Sequence, residues 1–232
     1  MRSVGILGGM GPEATVLLMQ KIIAATPARD DADHIPLFVD QNPQVPSRIR
    51  HLIERTGEDP GPVLAAMARR LQAAGAKALA MPCNTAHHYA PAIRAATRIP
   101  LIDMVQLSVT HAAHLAGQGG RIGILASPAV RQVGLFDAPC AAAGLTPVYA
   151  PDEPTMLAAI RSLKAQGPTP AARAALAQAS AQLLAQGATV QMIACTEFSL
   201  IADATTPESR SFDTLDQLVR GLIAFATQSD EA

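Results

Sequence analysis

Short apolar runs of four to six residues alternate along this chain with amphipathic stretches of 12 to 16 residues. That alternation is the pattern of βα units built around parallel sheets. Strands are expected at Ser3–Leu7, Ile35–Asp40, Ala78–Met81, Arg121–Leu125, Thr146–Tyr149 and Val190–Ala194. Helices are expected at Pro12–Ala25, Pro62–Ala74, Val105–Ala116, Glu153–Lys164, Pro170–Ala185 and Thr214–Thr227. Pro12, Pro62 and Pro170 sit at or near helix starts, where the missing N–H is tolerated. Gly75, Gly117 and Gly187 sit where helices should end.

The chain also resembles itself. Gly5-Ile6-Leu7-Gly8 has a counterpart in Gly123-Ile124-Leu125-Ala126. Gly75-Ala76, eight residues before Cys83, matches Gly187-Ala188, eight residues before Cys195. Ile102-Asp103-Met104 echoes Phe212-Asp213-Thr214. The offsets at these landmarks, 118, 112 and 110 residues, are nearly equal and come in one order. The expectation is an α/β fold of two similar lobes, 1–104 and 105–212, each a parallel sheet flanked by helices, with the active site in the cleft between them.

Composition narrows the functions available. Hydrophobic residues make up 49% of the 232, charged residues 16% and aromatics 3%, so the core must be aliphatic and the chain compact. The net charge of −1 with no basic block argues against nucleic acid or an anionic membrane as partner. No stretch approaches about 18 uninterrupted apolar residues, and the start lacks the pattern of a signal peptide. Three cysteines are too few and too scattered for a disulfide framework. A cytoplasmic location with free thiols is expected.

Cys83 and Cys195 each lie just past a predicted strand, on the sheet edge where ligands bind in open parallel sheets. The segment after each cysteine is expected to begin a helix, capped by Asn84 or Thr85 and by Thr196. A helix N-terminus lowers a thiol pKa and holds a carboxylate. Two thiols on facing lobes would reach a ligand from opposite sides. One thiolate would remove an α-proton and the other thiol would return one to the opposite face, inverting a stereocentre. Hydrogen bonds to the substrate carboxylate would carry the negative charge, and no cofactor is required. A lone cysteine after a strand is more often a core residue, and Cys140 is read that way.

Three segments carry a family resemblance: Gly8-Gly9-Met10-Gly11-Pro12-Glu13-Ala14-Thr15, Met81-Pro82-Cys83-Asn84-Thr85-Ala86-His87 and Ala194-Cys195-Thr196-Glu197. Together they resemble the aspartate/glutamate racemase family. The resemblance implies racemisation of an acidic amino acid without a cofactor, two catalytic cysteines (Cys83 and Cys195) and a homodimer. It implies that the helix within 213–232 packs back on the first lobe. Asn84, Thr85 and Thr196 match positions that hold the α-carboxylate. The loop Asn42-Pro43-Gln44-Val45-Pro46-Ser47-Arg48 resembles one whose arginine takes the side-chain carboxylate, which makes Asn42 and Arg48 candidates. Lys164 resembles a basic residue of the second lobe serving the same end. Gly9 lets the backbone approach the substrate beside Met10, and Glu197 tunes or orients the second thiol.

Two departures bear on substrate choice. Ser47-Arg48-Ile49 stands where many relatives read Asp-Arg-Thr, and Gln217-Leu218 where relatives often carry Ile-His. The glycine-rich start does not match a dinucleotide or phosphate loop, since Leu7 holds the second glycine position. Cys83, His87 and His88 lack the further ligands a zinc site needs, so no metal is expected. His87 and His88 are placed on the short helix after Cys83, with at most one facing the cleft. The rival readings are a hydantoin racemase, a maleate cis–trans isomerase or a decarboxylase on the same fold, or a non-catalytic protein that binds small acids.

Overall fold

A computed structural model describes residues 1–228; of the expected 213–232 segment, residues 229–232 lie outside the described residues. In chain order the elements are β1 (Val4–Gly8), α1 (Pro12–Ala25), β2 (Leu37–Gln41), a π-helical turn (Arg50–Glu54), α2 (Gly61–Ala73) and β3 (Ala78–Ala80). A 3-10 turn (Thr85–Tyr89), α3 (Ala90–Ala96) and α4 (Met104–Ala116) come after β3. Next are β4 (Arg121–Ala126), α5 (Pro128–Gln132), α6 (Asp137–Ala142), β5 (Thr146–Tyr149), α7 (Glu153–Gln166) and α8 (Pro170–Ala185). The chain continues through β6 (Val190–Ala194), a second 3-10 turn (Phe198–Ala204), β7 (Arg210–Asp213) and α9 (Thr214–Thr227). These elements form two compact units. One is Met1–Met104 together with the chain from Leu215 onward; the other is Val105–Thr214.

The first unit has a parallel sheet in the order β2-β1-β3, with a single further bridge from Leu79 to Leu101 beyond β3. The second has a parallel sheet in the order β5-β4-β6-β7. The topology is one and the same, except that the outermost strand of the second sheet is reduced to one bridge in the first. No helix among the described residues is long and apolar enough to cross a membrane.

Each sheet is covered on both faces, which is why β1 and β6 are buried along their whole length. Successive strand residues point to opposite faces. Val4 and Ile6 meet Leu18 and Ile22 of α1 and Leu215, Leu218 and Leu222 of α9. Leu7 on the other face packs with Leu64, Met67 and Leu71 of α2. In the second unit Ile122 and Ile124 face Val105 and Val109 of α4, while Leu125 faces Ile160 of α7 and Leu176 and Leu183 of α8.

The repeated glycines have a packing reason. A Cβ on Gly5 would stand 2.9 Å from Leu71 Cβ, and one on Gly123 would stand 3.1 Å from Leu183 Cδ1. Each glycine lets one helix lie close on its central strand. Helix α8 is capped by Thr169, whose Oγ1 accepts the Ala172 N–H at 3.2 Å, and α7 by Asp152, which accepts the Thr155 N–H at 3.0 Å.

All twelve expected elements are present, five with the expected bounds and seven with one or both ends moved by one or two residues. Strand β7 and the short helices α3, α5 and α6 have no counterpart among the expected elements. The helices after Cys83 and Cys195 are corrected: both are 3-10 turns, and neither carries a side-chain cap.

Candidate active site

Both cysteines stand just past the carboxyl end of the strand beside the sheet's central strand, Cys83 after β3 and Cys195 after β6. Both are free thiols, 7% and 6% exposed. Three loops meet in the first unit. Gly9 has φ +93, and a Cβ there would lie 2.3 Å from the Asn42 carbonyl carbon, so the loops after β1 and β2 touch backbone to backbone. The Gly9 N–H donates to Thr15 Oγ1 at 3.0 Å, which ties this loop to α1. Met10, Val45 and Cys83 then pack into one buried cluster with Tyr89. Asn84 is buried beside Cys83 and Thr85 is half-buried.

Arg48 stands just before the π-helical turn, half-buried. Its Nη1 donates to the Val45 carbonyl at 3.3 Å and the Pro46 carbonyl at 3.0 Å. The guanidinium thus closes its own loop with part of its five-donor fork. Asn42 Oδ1 accepts the Gln44 N–H at 3.0 Å, an Asx turn that starts the same loop.

In the second unit the Cys195 thiol donates to Glu197 Oε2 at 3.1 Å, and Lys164 of α7 forms an ion pair with Glu197 Oε1. Thr196 is buried between them in sequence. Burial pushes the Cys195 thiol well above its ordinary value, and the Glu197 carboxylate pushes it further, with Lys164 opposing. The expected lowering at this cysteine is therefore corrected. Burial, with a carboxylate at hydrogen-bond distance, outweighs the weak field of a short turn. Among the described residues no cluster of three or more His, Cys, Asp or Glu could hold a metal ion.

A family model, Asp/Glu/hydantoin racemase, matches residues 7–221. The chain belongs to that family. A broad-specificity amino-acid racemase, RacX, of Bacillus subtilis (strain 168) is 29% identical over 127 residues, 52% of this chain and 53% of that protein. The match thus spans about half the length of that relative. An aspartate racemase of Picrophilus torridus has TM-score 0.83 and 25% identity, covering 99% of this chain and 96% of that one. An aspartate racemase homologue from Pyrococcus horikoshii has TM-score 0.74 and 18% identity, over 98% and 100% of the two chains.

Near Cys83 in this racemase-family chain, Tyr89 escaped sequence reasoning, and the sequence marks His87 only as one of two histidines on the short helix after the cysteine. Tyr89 is buried in the Cys83 cluster, with His51 and His88 edge-on to its ring at 5.9 and 5.0 Å. Burial pushes its phenol up to about 12, with Asp59 and Cys83 adding to the shift and Arg48 opposing it. His87 is buried as well, and its ring lies on the backbone of Cys83. For Tyr89 the only sequence signal was position, six residues after a cysteine. For His87 it was the expectation that at most one of His87 and His88 faces inward, and His87 is the buried one while His88 is exposed.

Proposed function

We propose that this chain is a cofactor-independent amino-acid racemase of the aspartate/glutamate type, with Cys83 and Cys195 as its two bases. The observation that carries the reading is equivalence. Two sheets of one topology each present a buried free cysteine at the same strand end, before the same kind of turn. Family membership supports it, as do the racemase activities of the Picrophilus and Bacillus relatives.

One sulfur, as thiolate, takes the α-proton. The Cα–H electron pair passes into the carboxylate, and the other sulfur delivers its proton to the opposite face of the planar carbon. The first sulfur ends as thiol and the second as thiolate, so the next turnover runs from the other enantiomer or after proton exchange with water. Cys195, hydrogen-bonded through its S–H to Glu197, rests as the proton donor. When Cys195 must act as the base, Glu197 is the group that takes its proton. Asn84, Thr85 and Thr196 hold the α-carboxylate, where the charge of the intermediate develops. Arg48 takes the side-chain carboxylate, with Lys164 lending charge from its place on Glu197. Aspartate and glutamate are the substrates favoured, and the same reading expects a cytoplasmic homodimer, checked by light scattering on the purified protein.

The test is proton NMR of L-aspartate and L-glutamate with the protein in D2O, paired with chiral chromatography. Loss of the α-proton signal together with appearance of the D-enantiomer is expected, faster for one acid than the other. Cys83→Ala or Cys195→Ala should abolish racemisation, each leaving α-proton exchange of one enantiomer. Full racemisation by either variant would remove the two-base mechanism.

A further inference from the structure

A histidine four residues after a cysteine invites a reading as its general base, yet the ring of His87 is committed elsewhere. Its Nδ1 is 2.9 Å from the Cys83 carbonyl oxygen, and the Met104 backbone N–H donates to its Nε2 at 3.3 Å. A backbone N–H only donates, so Nε2 is the unprotonated acceptor. The proton is on Nδ1, donated to the Cys83 carbonyl, and the imidazole is neutral. Burial favours that state: it drives the His87 pKa down, against smaller upward pulls from the Cys83 bond and Asp103, while Arg94 also lowers it.

The two units solve the same problem differently. In the second, the Cys195 carbonyl accepts the backbone N–H of Phe198 at 2.9 Å. In the first, the Cys83 carbonyl is held by the side chain of His87. The Cys83 N–H donates back to the Met81 carbonyl at 2.8 Å, so the cysteine's backbone is fixed at both its donor and its acceptor. The other end of the imidazole rests on Met104, the first residue of α4. Its side chain is fully buried with Val4, Ile6 and Ala80, so the anchor is part of the rigid core.

We propose that His87 is the positioning residue of Cys83: a neutral strap that fixes the thiol by joining the Cys83 carbonyl to the Met104 N–H. It neither takes the thiol proton nor serves as counterion to a thiolate. The proposal rests on the reading of Cys83 as one of the two bases.

His87→Leu fills most of the space and loses both hydrogen bonds, while His87→Asn retains an N–H placed where Nδ1 was. Two measurements separate positioning from activation. In a Cys140→Ser, Cys195→Ser background, the rate of iodoacetamide alkylation reports Cys83 alone and needs no racemase activity. His87→Leu should raise that rate several-fold, because the thiol is no longer held in its closed turn, and His87→Asn should bring it most of the way back. In the otherwise unaltered protein, His87→Leu should lower kcat roughly 10- to 100-fold with KM nearly unchanged, as expected for a displaced reacting group. The pH dependence of alkylation should keep its midpoint. A fall in alkylation rate together with kcat, or a moved midpoint, would make His87 an activator and overturn the proposal. An unchanged alkylation rate in both variants would overturn it too. If the parent protein racemises nothing, the alkylation result still stands on its own, and only the racemase reading fails.

Discussion

A carboxylate 3.1 Å from a buried thiol accepts its proton in a hydrogen bond and repels the thiolate that its departure would leave. Glu197 does both to Cys195, and Lys164 moderates the second effect. Glu197→Gln should therefore lower the thiol pKa toward its ordinary range, while Lys164→Met should raise it. Thiolate absorbance titration in a Cys83→Ser, Cys140→Ser background reads both shifts, and movement in the same direction would refute the arrangement. On the proposed two-base mechanism, racemisation should drop in both variants, most of all in the direction that uses Cys195 as base. Tyr89 offers a second residue-level test. Its hydroxyl is buried with no hydrogen-bond partner among the described residues. Tyr89→Phe should leave stability unchanged or raise it by about 1 kcal/mol, since an unsatisfied polar atom is removed. Urea unfolding that shows a loss larger than that would mean the hydroxyl has a partner, such as a bound water.

At the scale of elements, the loops past β1 and β2 depend on a glycine that nothing can replace. Gly9→Ala would meet the Asn42 backbone in a left-handed conformation, and should cost more than about 2 kcal/mol and most of the activity. Gly117 is the control: its φ is +70 but a Cβ there meets nothing, so Gly117→Ala should cost only about 1 kcal/mol. Thermal melts of the two variants compare them directly. The elements readable in advance were those with long periodicity and clear punctuation. Helices α1 and α8 match the expected bounds, each beginning on its proline. Strand β7 was not legible because Arg210-Ser211-Phe212-Asp213 holds one apolar residue and sits on the sheet edge. Helices α3, α5 and α6, at five to seven residues, are too short to show a helical period. Of the candidate site, the equivalent placement of Cys83 and Cys195 past β3 and β6 was legible, because the sequence repeats there. Tyr89 and the bonding of His87 were not legible, because what a buried side chain packs on or bonds to is set by residues on other elements. Nor did any spacing reveal that Lys164 meets Glu197, since α7 reaches it only through the fold.

For the molecule as a whole, four groups hold their protons more tightly when folded: Cys140, Tyr89, Cys195 and the half-buried Tyr149, the last raised by burial and by Asp137. Cys140 is pushed from 9.0 up to about 11 and Tyr89 from 10.0 up to about 12, in each case mainly by burial; Cys195 is raised as well. A raised folded pKa adds stability that is complete below the unfolded value and disappears as pH climbs through the folded one. Stability should therefore be level up to about pH 9 and fall steadily above it. Cys140, whose side chain is fully buried, should account for part of that fall by about pH 10.5. Urea unfolding at pH 7.5 and 10.5 checks this, and Cys140→Val should flatten part of the slope. The division of the chain has a different consequence, one of timing. Val105–Thr214 is a continuous stretch, whereas Val4, Ile6, Leu18 and Ile22 are buried against Leu215, Leu218, Leu222 and Ala226. On a ribosome, the half of the protein made second is whole before the half made first. Until α9 is released, β1 waits with one face uncovered, so a chain cut short before Leu215 should lose the unit made first and keep Val105–Thr214.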